Sequence, residues 1–255
     1  MGRGMPRRSF DVMRPLVIRP HCLVHPEGSA LVAYGDTQVL CTATIDDKLP
    51  PWLANKPAGK GRGWVSAEYD MLPRATHSRH GRDSHRGKIN GRTQEIGRLI
   101  GRSLRAVVDL AKLGERMITI DCDVLQADGG TRTAAITGGF VAMAIALNQK
   151  FNHPQGHPAL KQHVAAVSVG IIDGTPQLDL DYQMDAQAGV DMNVVMSGEG
   201  NLVEVQGTAE GAPFSRHEMN AMLDLAFNAL PNLLQAQKAA IETPYAEVSL
   251  AAVGG

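Results

Sequence analysis

The segment MITIDCDVLQADGGTRTAAITGGF, residues 117–140, joins two periodicities through a pair of glycines. Over 117–126, Ile118, Ile120, Cys122 and Val124 alternate with Met117, Thr119, Asp121 and Asp123, the period of two that a half-buried strand requires. Beyond the glycines, Ile136, Phe140, Met143 and Leu147 recur at steps of three or four, which predicts a helix with one apolar stripe. Gly129 and Gly130 permit a tight turn, and the first N–H groups of the new helix then point outward, unpaired and partly positive. Thr131 adds a hydroxyl and Arg132 a planar fork of donors, so the junction suits an anion such as phosphate. Local pattern equally admits a plain strand-to-helix turn with Arg132 in solvent.

Upstream, 16–24, 30–34 and 38–45 read as antiparallel strands with turns at Glu27-Gly28 and Gly35-Asp36. The stretch 46–63, rich in Pro and Gly, reads as a long loop, and 64–71 returns to strand. A helix is expected over 93–110, with Ile96, Leu99, Ile100, Leu104, Val107 and Val108 facing a core. After a polar loop, strands are expected at 163–172, 177–182, 191–196 and 202–208, followed by two helices at 215–229 and 231–241. This order predicts an α+β fold of mixed sheets packed with helices, in which the two halves are similar βα units. It divides into an arm (1–13), a single domain (14–241) and a disordered tail (242–255).

Composition bounds the function. The chain has 255 residues, 44% hydrophobic and 20% charged, the profile of an ordinary globular protein. It contains no apolar run near the ~20 residues of a membrane span and no secretory-type N-terminus, so no membrane association and a cytoplasmic location are expected. Cys22, Cys41 and Cys122 lie far apart and are expected to be reduced, buried thiols without zinc spacing. The net charge is only −1, yet residues 56–105 hold twelve Lys or Arg against four Asp or Glu. Such a block reads as a footprint for a polyanion or as a salt-bridged surface. No Walker lysine follows a glycine loop, which removes the main support for a nucleoside triphosphatase. His77, His80 and His85 alternate with arginines that oppose a bound cation.

In LDLDYQMD, residues 178–185, strand parity puts Leu178, Leu180 and Tyr182 in the core and Asp179 and Asp181 on the other face, with Asp185 of the same parity. Clustered carboxylates raise their own pKa unless a cation or an acid role compensates, so these acids read either as a Mg²⁺ site or as a solvated strand end.

Seven runs carry a resemblance: GDTQVLCTATI (35–45), AEYDMLPRATHSR (67–79), GRTQEIGRLIGRSLRAVVDL (91–110), IDCDVLQADGGTRTAAITGGF (120–140), LDLDYQMD (178–185), DMNVVM (191–196) and VEVQGTAEGAPFSRHE (203–218). With them the chain, from about residue 14 to 241, resembles the ribonuclease PH family of phosphate-dependent 3′ exoribonucleases, which trim transfer RNA precursors. The resemblance implies phosphate ligands at Arg92, Gly130, Thr131 and Arg132, and catalytic and Mg²⁺-binding carboxylates at Asp179 and Asp185. It also implies roles for Arg74, Arg79 and Arg82 in RNA binding and assembly, single-stranded RNA 3′ ends as partners, and a homohexamer built as a trimer of dimers. The chain departs from the family pattern at Met184, where Glu is usual, in a longer 47–63 loop, and in an irregular segment 186–190. A non-catalytic RNA-binding ring subunit and a hydrolytic nuclease are the rival expectations.

Overall fold

A computed structural model describes residues 8–56, 60–82, 87 and 90–245. The alternating segment is strand β5 (Met117–Gln126), with Ile118, Ile120, Cys122 and Val124 buried as its period requires. It pairs antiparallel with β3 (Thr37–Asp46) and parallel with β4 (Trp64–Met71). The meander β1 (Leu16–Pro20), β2 (Gly28–Tyr34) and β3 completes a five-stranded sheet of order β1-β2-β3-β5-β4. The second sheet is wholly antiparallel, in the order β7-β6-β8-β9, from β6 (Val164–Ile172), β7 (Thr175–Leu178), β8 (Val190–Ser197) and β9 (Leu202–Ala209). The halves therefore share a sheet-then-long-helix plan but not a strand pattern, since only the first contains a parallel pair.

Helix α4 (Thr131–Lys150) lies between the two sheets, and every residue from Thr133 to Leu147 is buried. The single stripe expected from Ile136, Phe140, Met143 and Leu147 is corrected: a helix covered from both sides is apolar all round. Small residues allow this close approach, since a Cβ on Gly138 would stand 2.6 Å from Val32 Cγ1. Tyr34 ties the layers together by donating to Thr137 Oγ1 at 2.9 Å on α4 and to the Ala166 carbonyl at 3.1 Å on β6. One continuous cluster of buried side chains runs through both sheets.

Other boundaries shift for identifiable reasons. The first long helix is α2 (Gly91–Ala106), which starts earlier than expected because Asn90 caps it, accepting from the Arg92 N–H. It stops short of residue 110 because Val108 forms a bridge with Leu160 and Asp109 caps a separate turn, α3 (Leu110–Leu113). The 47–63 loop contains the short helix α1 (Pro51–Ala54), while its residues 57–59 lie outside the described residues. The two C-terminal helices are one, α6 (Arg216–Glu242), with Pro231 inside it. Leu225, Ala226, Ala229, Leu230 and Leu233 are buried on both sides of that proline, so a continuous packed face outlasts the lost N–H. A Ser215–Glu218 capping box starts the helix.

The described part of the N-terminal arm is not loose. Arg8 donates to the Asp179 carbonyl at 2.9 Å, and the Leu178 N–H bonds to the Phe10 carbonyl at 2.8 Å. At the other end, Tyr245 packs edge-on against His21, and the rest of the expected disordered tail, 246–255, lies outside the described residues. Cys41 and Cys122 are buried free thiols, whereas Cys22 is only half-buried.

Candidate active site

The glycine turn is formed as its sequence suggests. Gly129 (φ 77°) and Gly130 (φ 68°, ψ 24°) both adopt the left-handed region, and Gly130 is the N-cap of α4 without any side-chain cap. The opening N–H groups of a 20-residue helix are thus left for a ligand. Thr131 shares a 2.8 Å hydrogen bond with Tyr69, whose buried hydroxyl has its pKa pushed up by that burial. Arg132 reaches Glu95 at 3.7 Å, and its Nε is buried with no hydrogen-bond partner among the described residues. A buried, unpartnered guanidinium nitrogen is costly unless an anion completes it.

Arg92 arrives from the first turn of α2, and with Gly130, Thr131 and Arg132 it lines one cleft of about 850 Å³. The four residues expected to hold phosphate are therefore brought together from two helix N-termini. At the rim, His77 meets Tyr182 edge-to-face, with ring centroids 5.5 Å apart.

The carboxylate expectation divides. Asp185 lines the cleft and is open to solvent; its pKa is raised first by partial desolvation within the cleft and then by the negative charge of Asp191. Asp191, at the start of β8, lines the same cleft, as does Glu210. Asp179 does not line it. Strand β7 ends at Leu178, Asp179 turns into the left-handed region (φ 56°), and Asp181 becomes the N-cap of α5 (Tyr182–Gln187), accepting from the Met184 N–H. The expected strand 177–182 is thus corrected to a strand that runs Thr175–Leu178 and gives way to a turn and a helix start, and Tyr182, expected in the core, is exposed.

Asp179 is fully buried, with its carboxylate held by Arg14 and Arg8. A metal ion there would have to displace a guanidinium, so the expected Asp179 and Asp185 pair does not fit a cation. Asp185 and Asp191 fit better: they are unlike Asp179 in facing the cleft, and they repel each other. Among the described residues, no group of three or more His, Cys, Asp or Glu side chains is arranged to hold a metal ion. Mg²⁺ commonly uses only one or two carboxylates and keeps several waters, so two acids suffice.

Arg74, Arg79 and Arg82 lie on the exposed segment after β4, outside the cleft lining. Arg86 and Lys88 of the basic block, and His85, lie outside the described residues. No helix among the described residues is long and apolar enough to cross a membrane.

Profiles of the 3′ exoribonuclease family match the chain twice, domain 1 over residues 12–147 and domain 2 over 162–229. The chain belongs to this family. It is similar to ribonuclease PH of Moorella thermoacetica, 58% identical over 233 residues that cover 91% of each sequence. Among solved structures, it resembles an Archaeoglobus fulgidus exosome with RNA bound to the active site, at a TM-score of 0.75 and 21% identity, over 89% of this chain and 90% of that one. An archaeal exosome core matches at a TM-score of 0.71 and 21% identity over 91% and 89% of the two chains. These structural likenesses establish the family's α+β fold for this chain.

Reasoning from sequence missed Asp191, Arg14, Tyr69 and the His77–Tyr182 pair. Asp191 carried a weak signal, an acid opening an expected strand six residues after Asp185. Arg14 carried none, because its partners lie more than a hundred residues away.

Proposed function

We propose that this protein is a phosphorolytic 3′-to-5′ exoribonuclease, which removes the last nucleotides of transfer RNA precursors and other single-stranded RNA 3′ ends with inorganic phosphate. The observation that carries this reading is the open, uncapped α4 N-terminus together with Arg132, whose Nε has no hydrogen-bond partner among the described residues, in a cleft that also receives Arg92. Phosphate is already an anionic nucleophile at neutral pH, so the site needs to position it and offset charge rather than generate hydroxide. The Gly130 turn, Thr131, Arg132 and Arg92 hold phosphate in line with the terminal phosphodiester. A phosphate oxygen bonds to the phosphorus of the last nucleotide, and the bond from that phosphorus to the preceding 3′ oxygen breaks. Asp185, which faces the cleft, donates a proton to the departing oxygen, and desolvation together with the charge of Asp191 shifts its pKa in the direction that role needs. The proton lost by the attacking phosphate restores it, and a nucleoside 5′-diphosphate leaves; the reverse nucleotide addition uses the same groups.

Mg²⁺ fits the corner formed by Asp191 and, when ionised, Asp185, and when bound it would supply positive charge to the phosphoryl oxygens. The exposed Arg74, Arg79 and Arg82 provide sequence-independent attraction for the RNA backbone. Residues 14–241 act as one catalytic unit, which the continuous core supports. Assembly as a homohexamer of three dimers, in the cytoplasm, completes the reading, and the mass of the purified protein in solution tests the assembly.

Incubation with Mg²⁺ and a 3′-tailed RNA, with and without phosphate, tests the activity. Nucleoside diphosphates released only with phosphate are expected. Monophosphates without phosphate indicate hydrolysis, and an absence of products indicates a non-catalytic RNA-binding subunit.

A further inference from the structure

Beneath the glycine turn, one arginine joins the N-terminal arm to both walls of the cleft. Asp179 Oδ2 accepts from the Arg14 backbone N–H at 2.8 Å and from Arg14 Nε at 2.9 Å, and Oδ1 accepts from Nη2 at 2.7 Å. The same guanidinium donates to the main-chain carbonyls of Asp128, Gly129 (3.4 Å) and Leu180 (3.3 Å). Arg14 is 3% exposed and Asp179 fully buried. Burial works to lower the Arg14 pKa, but the hydrogen bonds and charge of Asp179 outweigh it and hold it above the ordinary value. The two walls touch directly as well, since a Cβ on Gly129 would stand 2.4 Å from the Leu180 carbonyl oxygen.

A trans peptide is planar, so its C=O and the following N–H point in opposite directions. The Gly129 carbonyl accepts from Thr37 Oγ1 at 2.6 Å and from Arg14 Nη2 at 3.4 Å, and Arg14 also holds the Asp128 carbonyl before it, so the two residues together fix the peptide planes that lead into the Gly130 N–H where α4 begins. Neutralising Asp179 also removes a buried negative charge from beneath an anion site.

We propose that Arg14 is a positioning residue for the phosphate-binding turn and that Asp179 is its counter-ion, outside the metal site. The proposal rests on the phosphorolytic reading for the identity of the anion.

Three variants of the full chain test it: Arg14→Lys, which keeps the charge but loses the fork, Asp179→Asn, and Gly129→Ala, which forces the two walls apart without altering a charge. Each is assayed for phosphorolysis at varied phosphate and varied Mg²⁺, and for the rise in melting temperature that inorganic phosphate produces. All three are expected to raise the phosphate KM, and the phosphate needed for thermal protection, by about tenfold or more. For Arg14→Lys and Asp179→Asn, kcat at saturating phosphate should stay within about threefold and the Mg²⁺ requirement should not move. An Asp179→Asn variant with an unchanged phosphate KM and an increased Mg²⁺ requirement would identify Asp179 as a metal ligand and overturn the proposal. Wild-type phosphate KM and thermal protection in the folded variants overturn it equally. If the ion-pair variants do not fold, Gly129→Ala decides by the same two readouts. Thermal protection is read without turnover, so a wild type that binds phosphate but releases no diphosphate counts against the functional reading and not against the clamp.

Discussion

Two turns face each other at the cleft, 126–131 between β5 and α4 and 178–182 between β7 and α5, and they are held by different kinds of residue. The first owes its bend to its own sequence, two glycines in the left-handed region, and is braced from outside by Arg14 and by Thr37 Oγ1, which accepts from the Asp128 N–H at 2.9 Å and donates to the Gly129 carbonyl at 2.6 Å. The second places an aspartate at φ 56°, a conformation that a residue with a Cβ adopts at a cost, and it is held by Arg8 and Arg14 on the Asp179 carboxylate and carbonyl and by Ser168 of β6, which accepts from the Asp179 and Leu180 N–H groups. A local turn can present an open helix end to a ligand, whereas a turn made by distant charges has its own polar groups consumed in holding it. Asp185, one helical turn beyond the second bend, escapes that fate and faces the cleft.

The sharpest break in the comparison is Arg132→Ala. It removes the open donor of the first turn, and phosphate-dependent release of diphosphates should fall by about 10²–10³-fold, the usual cost of one preorganised charge-stabilising donor. Its melting temperature should stay near wild type, because the only ion pair of Arg132 among the described residues is the long one to Glu95. Asp185→Asn should follow, with kcat lowered by about 10²-fold while the phosphate KM holds, as expected for a proton donor rather than an anion ligand. A matching rise in phosphate KM would place Asp185 with the first turn instead.

Thr37→Val tests how the first turn is supported. It removes the fully buried hydroxyl that the part-buried Asp128 N–H and Gly129 carbonyl both use, which costs about 1–3 kcal/mol of stability. Calorimetry should register a fall of about 2–4 °C per kcal/mol. An unchanged melting temperature would mean that the glycines and Arg14 hold the turn without the Thr37 hydroxyl.

The smallest effect is at Asp128, whose side chain joins the two turns by accepting from the Tyr182 N–H at 3.3 Å. Its pKa is raised, chiefly by burial and against the opposing pull of Tyr182 and Arg14. A raised pKa means that the folded state prefers the protonated acid, so this contribution to stability is full below the unfolded-state pKa of about 3.9 and is lost as pH rises through the higher folded value. Asp128→Asn, which keeps an acceptor without the charge, should therefore melt about 1–2 °C above wild type near neutral pH. The difference should vanish when the two proteins are compared in acid.

The extent to which each feature could be read follows from how local its cause is. The alternation of Ile118, Ile120, Cys122 and Val124 and the glycine pair are short-range patterns, and the strand, the turn and the phosphate-facing residues were legible from them. Helix α4 was placed correctly, but its burial was not, because periodicity records one packed face and a second sheet covers the other. The break after Ala106 depends on a bridge to Leu160, and the persistence of α6 through Pro231 depends on packing against the second sheet and α4.

At the site the division is the same. The α+β order, a glycine turn that opens a helix into Arg132, and a cluster of acids after residue 178 can be read along the chain, because each is a property of residues near one another in it. Which acids serve the cleft depends on packing between distant segments. Asp179 and Asp185 are equally acidic in sequence, but a carboxylate's role depends on the charges brought against it. The fold brings Arg14 against one and Asp191 against the other.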